Sequence, residues 1–372
     1  MTSLISLFFI GLFFCFVFYF VGNIFYLFWK SPIDDSLGLF LFKVTIGIVS
    51  LPVIYASFTT RLNSIFSGAL LLFGLFCIIN RKCFVFPKKL NFKTFQIKYF
   101  YIYILGYLFF FLYFLLHSVD YNGDYLLSFI DYPYYSGISD LLNQCKIESA
   151  SFNNMHNLEL YPKFYHWFNE WLTALISNFF NLPGLQVYTF ITLPLIWTPT
   201  FIGIFWITRQ FFNTFFLFHY LLTVFFFFVA GISDILQHML FIDTGVTFWD
   251  LSLLDPRSNK LAIGVLIILN CVVIWKKTRR LEKIIFPLSV LSILYSTFLP
   301  VIVSAFIFSG FIFWIKNRKI KTPELSYLFI ALIFTIFFYA FQGKPSSTNI
   351  QPYSLIVQFK EFLQPEFFNF KY

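Results

Sequence analysis

Ten stretches of this chain are apolar enough and long enough to be read as membrane spans. A transmembrane helix needs about 20 mostly apolar residues. By that measure the spans run 4–29, 37–59, 62–79, 99–117, 186–208, 211–230, 261–275, 284–298, 300–315 and 324–342. The apolar run 284–315 is too long for one span. It divides at Tyr295-Ser296-Thr297-Phe298-Leu299-Pro300, where small polar residues and a proline favour a turn. Only 12% of the 372 residues are charged and 59% are hydrophobic, with 60 Phe and 22 Tyr. Soluble domains carry about 25% charged residues, and disorder needs low hydrophobicity. Both classes are excluded, and an all-α polytopic membrane protein is predicted.

Orientation is read from Lys and Arg in short loops. Segment 80–98 carries Arg81, Lys82, Lys88, Lys89, Lys93 and Lys98 without an acid. Segment 276–283 carries Lys276, Lys277, Arg279, Arg280 and Lys283; segment 316–321 carries Lys316, Arg318, Lys319 and Lys321. With ten spans all three fall on one face, the cytoplasmic one. Most of the 17 acids lie on the other face, in segments 118–185 and 231–260. The stretch 4–29 lacks a basic n-region and a small-residue cleavage site, so it reads as a retained span. Cys15, Cys77, Cys83, Cys145 and Cys271 have no metal-ligand spacing and imply no disulfide framework. No phosphate-binding glycine loop, internal repeat or nucleic-acid signature is present.

The long first outer loop, 118–185, contains two helical patterns. Asp131-Tyr132-Pro133 opens the first, with Asp131 suited to the N-cap and Pro133 to the first turn. Tyr134, Ile138, Leu141 and Leu142 then recur at helical spacing. The second runs from Tyr161 to Ser177, with His166, Glu170, Thr173 and Ser177 on one face and Phe164, Phe168, Trp171, Leu172 and Leu175 on another. Its Tyr and Trp residues favour the headgroup level, so the helix is expected along the interface with its polar face toward the loop. His166 and Glu170 are four apart. They read equally as a local hydrogen-bonded pair or as a group oriented toward a base or phosphate role. Asp131 likewise reads as a cap or as a carboxylate with a chemical task. Residues 145–160 between the helices are polar and irregular.

An acid at the start of a Tyr-rich helix, a polar gap, and a Tyr-His segment entering an apolar helix resemble the first extracytoplasmic loop of the GT-C glycosyltransferase superfamily. The matching words are Asp131-Tyr132-Pro133-Tyr134-Tyr135 and Tyr165-His166-Trp167-Phe168-Asn169-Glu170-Trp171-Leu172. The resemblance covers about residues 99–342 and is in particular to uncharacterised bacterial membrane proteins of that type. It implies a seven-span core over 99–342, preceded by a three-span segment over 1–98 and followed by a short outer tail, 343–372. It also implies two membrane-parallel helices in the first outer loop and a site on the extracytoplasmic face of the bacterial cytoplasmic membrane. The implied donor is a polyprenyl-phosphate sugar and the implied acceptor a glycan, lipid or protein. The early acid of the loop is the implied base. By position that is Asp131, with Asp124 and Asp120 behind it, and with His166 and Glu170 as further catalytic candidates. Lys163, Tyr134, Tyr135 and Tyr165 are the substrate-binding candidates of this loop. A divalent metal stays open as a cofactor, with no ligand set assigned.

In the second outer loop, Asp255-Pro256-Arg257-Ser258-Asn259-Lys260 opens the seventh span. Helix starts present free N–H groups that favour anions, and Arg grips phosphate in a bidentate manner. Arg257 and Lys260 therefore read as lipid-phosphate ligands, or as snorkelling residues beside a cap; His238 is a further contact candidate. Two other classes compete with sugar transfer. A transporter or lipid-linked-glycan flippase would place ionisable groups within spans, where Lys43 and His219 are the main polar exceptions. An O-antigen-type polymerase would have similar composition, with its large outer loop later in the chain.

Overall fold

The computed structural model describes residues 3–28, 33, 35–60, 99–119, 131–146, 148, 167–212, 215–229 and 262–278, with scattered helical positions between 66 and 74 and between 284 and 304. Among the described residues every regular element is a helix. They are α1 (Leu4–Phe28), α2 (Ser36–Thr59), α3 (Phe100–Ser118), α4 (Asp131–Cys145), α5 (Phe168–Phe180), α6 (Gly184–Phe211), α7 (Phe216–Val229) and α8 (Ala262–Thr278). Four of them, α1, α2, α3 and α6, are long and apolar enough to cross a membrane. They coincide with the predicted spans 4–29, 37–59, 99–117 and 186–208. α7 and α8 are shorter apolar helices on two further predicted spans. The predicted spans 300–315 and 324–342, the basic segments 80–98 and 316–321, and the tail lie almost wholly outside the described residues.

α6 is the central helix, packing against α2, α3, α7 and α8. Its sequence explains its shape. Residues Tyr188–Thr192 form a π-helical turn just before Pro194. Proline has no N–H for the helix ladder and its ring crowds the carbonyl four residues back, and a π-turn relieves that crowding. The carbonyl concerned is that of Phe190, and the Tyr107 hydroxyl of α3 donates to it at 3.4 Å. Thr198 returns its hydroxyl to the Pro194 carbonyl at 2.6 Å.

α1 and α2 form the most extensive helix pair. Two glycines set their spacing reciprocally. A Cβ on Gly22 would stand 1.7 Å from the Lys43 carbonyl oxygen, and one on Gly47 would stand 1.8 Å from that of Phe18. Small residues let helix backbones approach in a membrane, where packing rather than water exclusion drives association. Gly47→Val is therefore expected to lower the thermal stability of the detergent-solubilised protein, by about 1–3 kcal/mol or more. Gly74→Ala, where an added Cβ meets nothing within 4 Å, is the control and should leave the melting curve in place.

The outward stripe of α1, Ile5, Phe9, Phe13, Phe16, Phe20 and Ile24, is exposed, as a lipid-facing surface should be. Lys43 is fully buried. Its Nζ lies 4.6 Å from the Tyr26 ring centre and 5.9 Å from that of Tyr19, where the aromatic faces attract the cation.

Side-chain contacts sort the helix ends into two groups. At one end Asp35 caps α2 through Gly38 N–H at 3.0 Å and accepts from the Trp206 indole N–H. Lys276 of α8 lies over the Trp206 ring and hydrogen-bonds Gln210. Arg209 belongs to this end too. At the other end sit α4 and α5. Basic Arg209 and Lys276 thus stand one bundle length from the helix pair of the first long loop.

Candidate functional site

Asp131 is the first helical residue of α4, one position inside the expected N-cap, and it is half-buried. Negative side chains sit favourably in a first helical turn. Ser136 returns its hydroxyl to the Pro133 carbonyl at 3.0 Å and Ser139 to that of Tyr135 at 2.9 Å, so neither serine competes for outside partners. The buried face of α4 is Tyr132, Tyr135, Ser136, Ile138, Ser139 and Leu142. Tyr134, expected on the apolar face, is only half-buried; the two small serines let the helix turn that side inward.

α5 is described from Phe168 to Phe180, past the expected end at Ser177; the expected start, 161–166, lies outside the described residues. Asn181 ends it in left-handed backbone (φ 52°), with Leu182 N–H returning to the Ser177 carbonyl at 3.1 Å, a Schellman-type stop. Glu170, Thr173 and Ser177 are buried, and Glu170 and Thr173 face the start of α6. The Thr173 hydroxyl pairs with that of Thr192 on α6 at 2.8 Å.

The two helices are seated on the C-terminal end of α2 and the N-terminal end of α6. Tyr55 of α2 donates to Asn143 Oδ1 at 2.9 Å, and Asn143 Nδ2 donates to the Ala174 carbonyl of α5 at 2.9 Å. The Tyr55 ring meets Trp171 edge-on at 5.8 Å. The Trp171 indole N–H donates to Glu148 Oε1 at 2.8 Å, both groups being buried. Asp140 reaches the start of α6, accepting from the Gly184 N–H.

Burial pushes the Asp140 carboxyl up from its ordinary value, and the Gly184 N–H only partly offsets this. A raised carboxyl pKa means the folded state holds the proton longer than the unfolded chain does. The stability it contributes is complete below the ordinary carboxylate range and is lost as pH rises through the folded value. Asp140→Asn keeps an acceptor for Gly184 without a charge to desolvate. Its melting temperature should exceed that of the wild type at neutral pH, and the gain should vanish under acid conditions.

Around Tyr188, in the π-turn, an aromatic and acidic cluster gathers. Its ring lies 5.7 Å from that of Tyr132 and 5.9 Å from that of Tyr135, while Tyr134 meets Tyr135 edge-on at 5.5 Å. Glu170, only 1% exposed, and Asn169 act on the same phenol. Two sequence candidates, Tyr135 and Glu170, are thereby brought together around Tyr188, with Tyr134 adjoining Tyr135. Chemically the cluster offers a buried carboxylate, that of Glu170, beside phenolic side chains. Among the described residues no three His, Cys, Asp or Glu side chains group as metal ligands.

The remaining candidates, Asp124, Lys163, Tyr165, His166, His238, Arg257 and Lys260, lie outside the described residues, as does the His166–Glu170 pairing. Sequence reading missed Tyr188, Thr192, Asn143 and the Glu148–Trp171 pair. Tyr188 sits at the margin of an apolar run and carries no polar signal of its own; the other contacts join residues far apart in sequence. No protein-family model, curated protein or solved structure matches this chain.

Proposed function

We propose that this protein transfers a sugar from a polyprenyl-phosphate donor to a glycan, lipid or protein acceptor at the extracytoplasmic membrane surface. The supporting observation is the placement of Asp131. It opens a helix held, through Asn143 and Asp140, on the end of the bundle away from Arg209 and Lys276. By the positive-inside rule the end with Arg209 and Lys276 is cytoplasmic and the end with Asp131 extracytoplasmic.

In this reading the Asp131 carboxylate takes the proton from the acceptor hydroxyl. The acceptor oxygen forms its bond to the anomeric carbon as the bond from that carbon to the phosphate oxygen breaks. The phosphate leaves with the bonding electron pair. The sugar develops oxocarbenium character, which nearby negative charge stabilises, as in glycoside hydrolysis. Tyr134, half-buried, supplies a ring face and a hydroxyl for the sugar. Arg257 and Lys260 belong to the leaving phosphate, whose growing charge needs cations. The chemistry assigned to these side chains needs no metal, and no metal-dependent step is proposed.

The test is transfer by the purified full chain in phospholipid vesicles, offered single polyprenyl-phosphate sugars in turn. Release of polyprenyl phosphate together with a glycosylated acceptor supports the reading. Intact donor across the panel, with well-folded protein, argues against it.

A further inference from the structure

A cavity of about 470 Å³ lies between α2 and α8. Its α2 wall is Phe42, Ile46, Val49 and Val53, and its α8 wall includes Ile267 and Ile274. From Phe42 to Ile54 the wall covers roughly 18 Å of helix axis at 1.5 Å per residue. Both stretches are the middle of their helices, so the cavity straddles the centre of the hydrocarbon layer. It sits where the predicted N-terminal three-span segment, with Ala69 and Phe73, meets the core helices.

Three polar residues line it, and all three turn their donors elsewhere. Thr45 donates to the Leu41 carbonyl at 2.8 Å and Ser50 to that of Ile46 at 2.7 Å. The Asn270 amide donates to Thr45 Oγ1 at 2.7 Å and to the Leu266 carbonyl at 2.9 Å. A buried water needs two to four polar partners; of these three residues only Asn270 keeps a buried acceptor, Oδ1, without a partner, and one is too few. A headgroup would be costlier still, since unpaired polar groups are penalised in apolar surroundings. The compatible occupant is hydrocarbon. At the bilayer centre the hydrocarbon at hand is the acyl chain of phospholipids.

We propose that this cavity binds one acyl chain of a bilayer phospholipid, which fills the joint between the N-terminal segment and the core. The inference stands apart from sugar transfer and survives if that reading fails.

The full chain would be reconstituted in phosphatidylethanolamine–phosphatidylglycerol nanodiscs containing phosphatidylcholine with a diazirine on its acyl chain. After illumination, labelled peptides are mapped. Label is expected on Phe42–Ile54 and Ile267–Ile274, as well as on the exposed α1 stripe. Val49→Trp and Ala69→Phe fill the cavity from two walls, and each should abolish the first label while keeping the second. The α1 label and a monodisperse elution profile report that the variant is folded. Label confined to α1 in the wild type would overturn the proposal, whatever the variants do. So would cavity label that persists in a folded filled variant. Loss of the label to added polyprenyl phosphate, but not to excess phospholipid, would also overturn it, assigning the site to an isoprenoid chain.

Discussion

Asp131→Asn should lower the rate of sugar transfer by roughly 100- to 10,000-fold, the range contributed by a positioned general base. The amide keeps the shape of the side chain and can still accept from a first-turn N–H group. Helix α4 should therefore form as before, with its abundance and melting temperature close to those of the wild type. Asp131→Glu should recover part of the rate, because the carboxylate returns at a slightly altered reach. A variant that is slow only because it is misfolded would show reduced abundance instead.

Trp171→Ala should give the largest loss of stability, about 3–5 kcal/mol as for a buried aromatic truncated in a packed interior. Trp171 is fully buried and joins three parts of the site. Its ring receives Tyr55 from α2, its N–H serves Glu148, and its helix carries Glu170. Trp171→Phe keeps most of the ring volume and removes the donor to Glu148, at a cost of about 1–3 kcal/mol. Thermal unfolding of the two variants, compared with the wild type in one detergent, resolves packing from hydrogen bonding. The alanine variant should also lose protection of α4 and α5 in hydrogen exchange before the spanning helices open, since those two helices are held to the bundle by this contact and its neighbours.

The sequence made the spanning helices legible because membrane spans are coded by composition over a long window. The runs at 4–29, 37–59, 99–117 and 186–208 agree with α1, α2, α3 and α6 within a few residues. Asp131 and Pro133 marked the start of α4 to within one position for a local reason, since caps are written in adjacent residues. The polar face of α5 is legible from its period, but its partners on α6 are not. A helical period says which residues share a face and not which neighbour covers them; Thr192 and the Tyr188 cluster turn Glu170 and Thr173 inward. The π-turn followed from Pro194 only once the Phe190 carbonyl and Tyr107 were seen together. The close approach of α1 and α2 is similarly non-local. Gly22 and Gly47 gain meaning from the Lys43 and Phe18 carbonyls opposite them, and a single sequence does not pair them.

The direct test of sugar transfer is made in the native host. The gene is deleted, and surface glycans and glycolipids are compared by mass spectrometry after rescue with wild type or with Asp131→Asn. Sugar transfer with Asp131 as base predicts a glycan lacking one sugar, restored by the wild-type chain and not by Asp131→Asn at equal abundance. An unchanged glycan profile in the deletion strain would contradict sugar transfer and favour transport or a structural role. A glycan restored by both chains would contradict the assignment of Asp131 as the base.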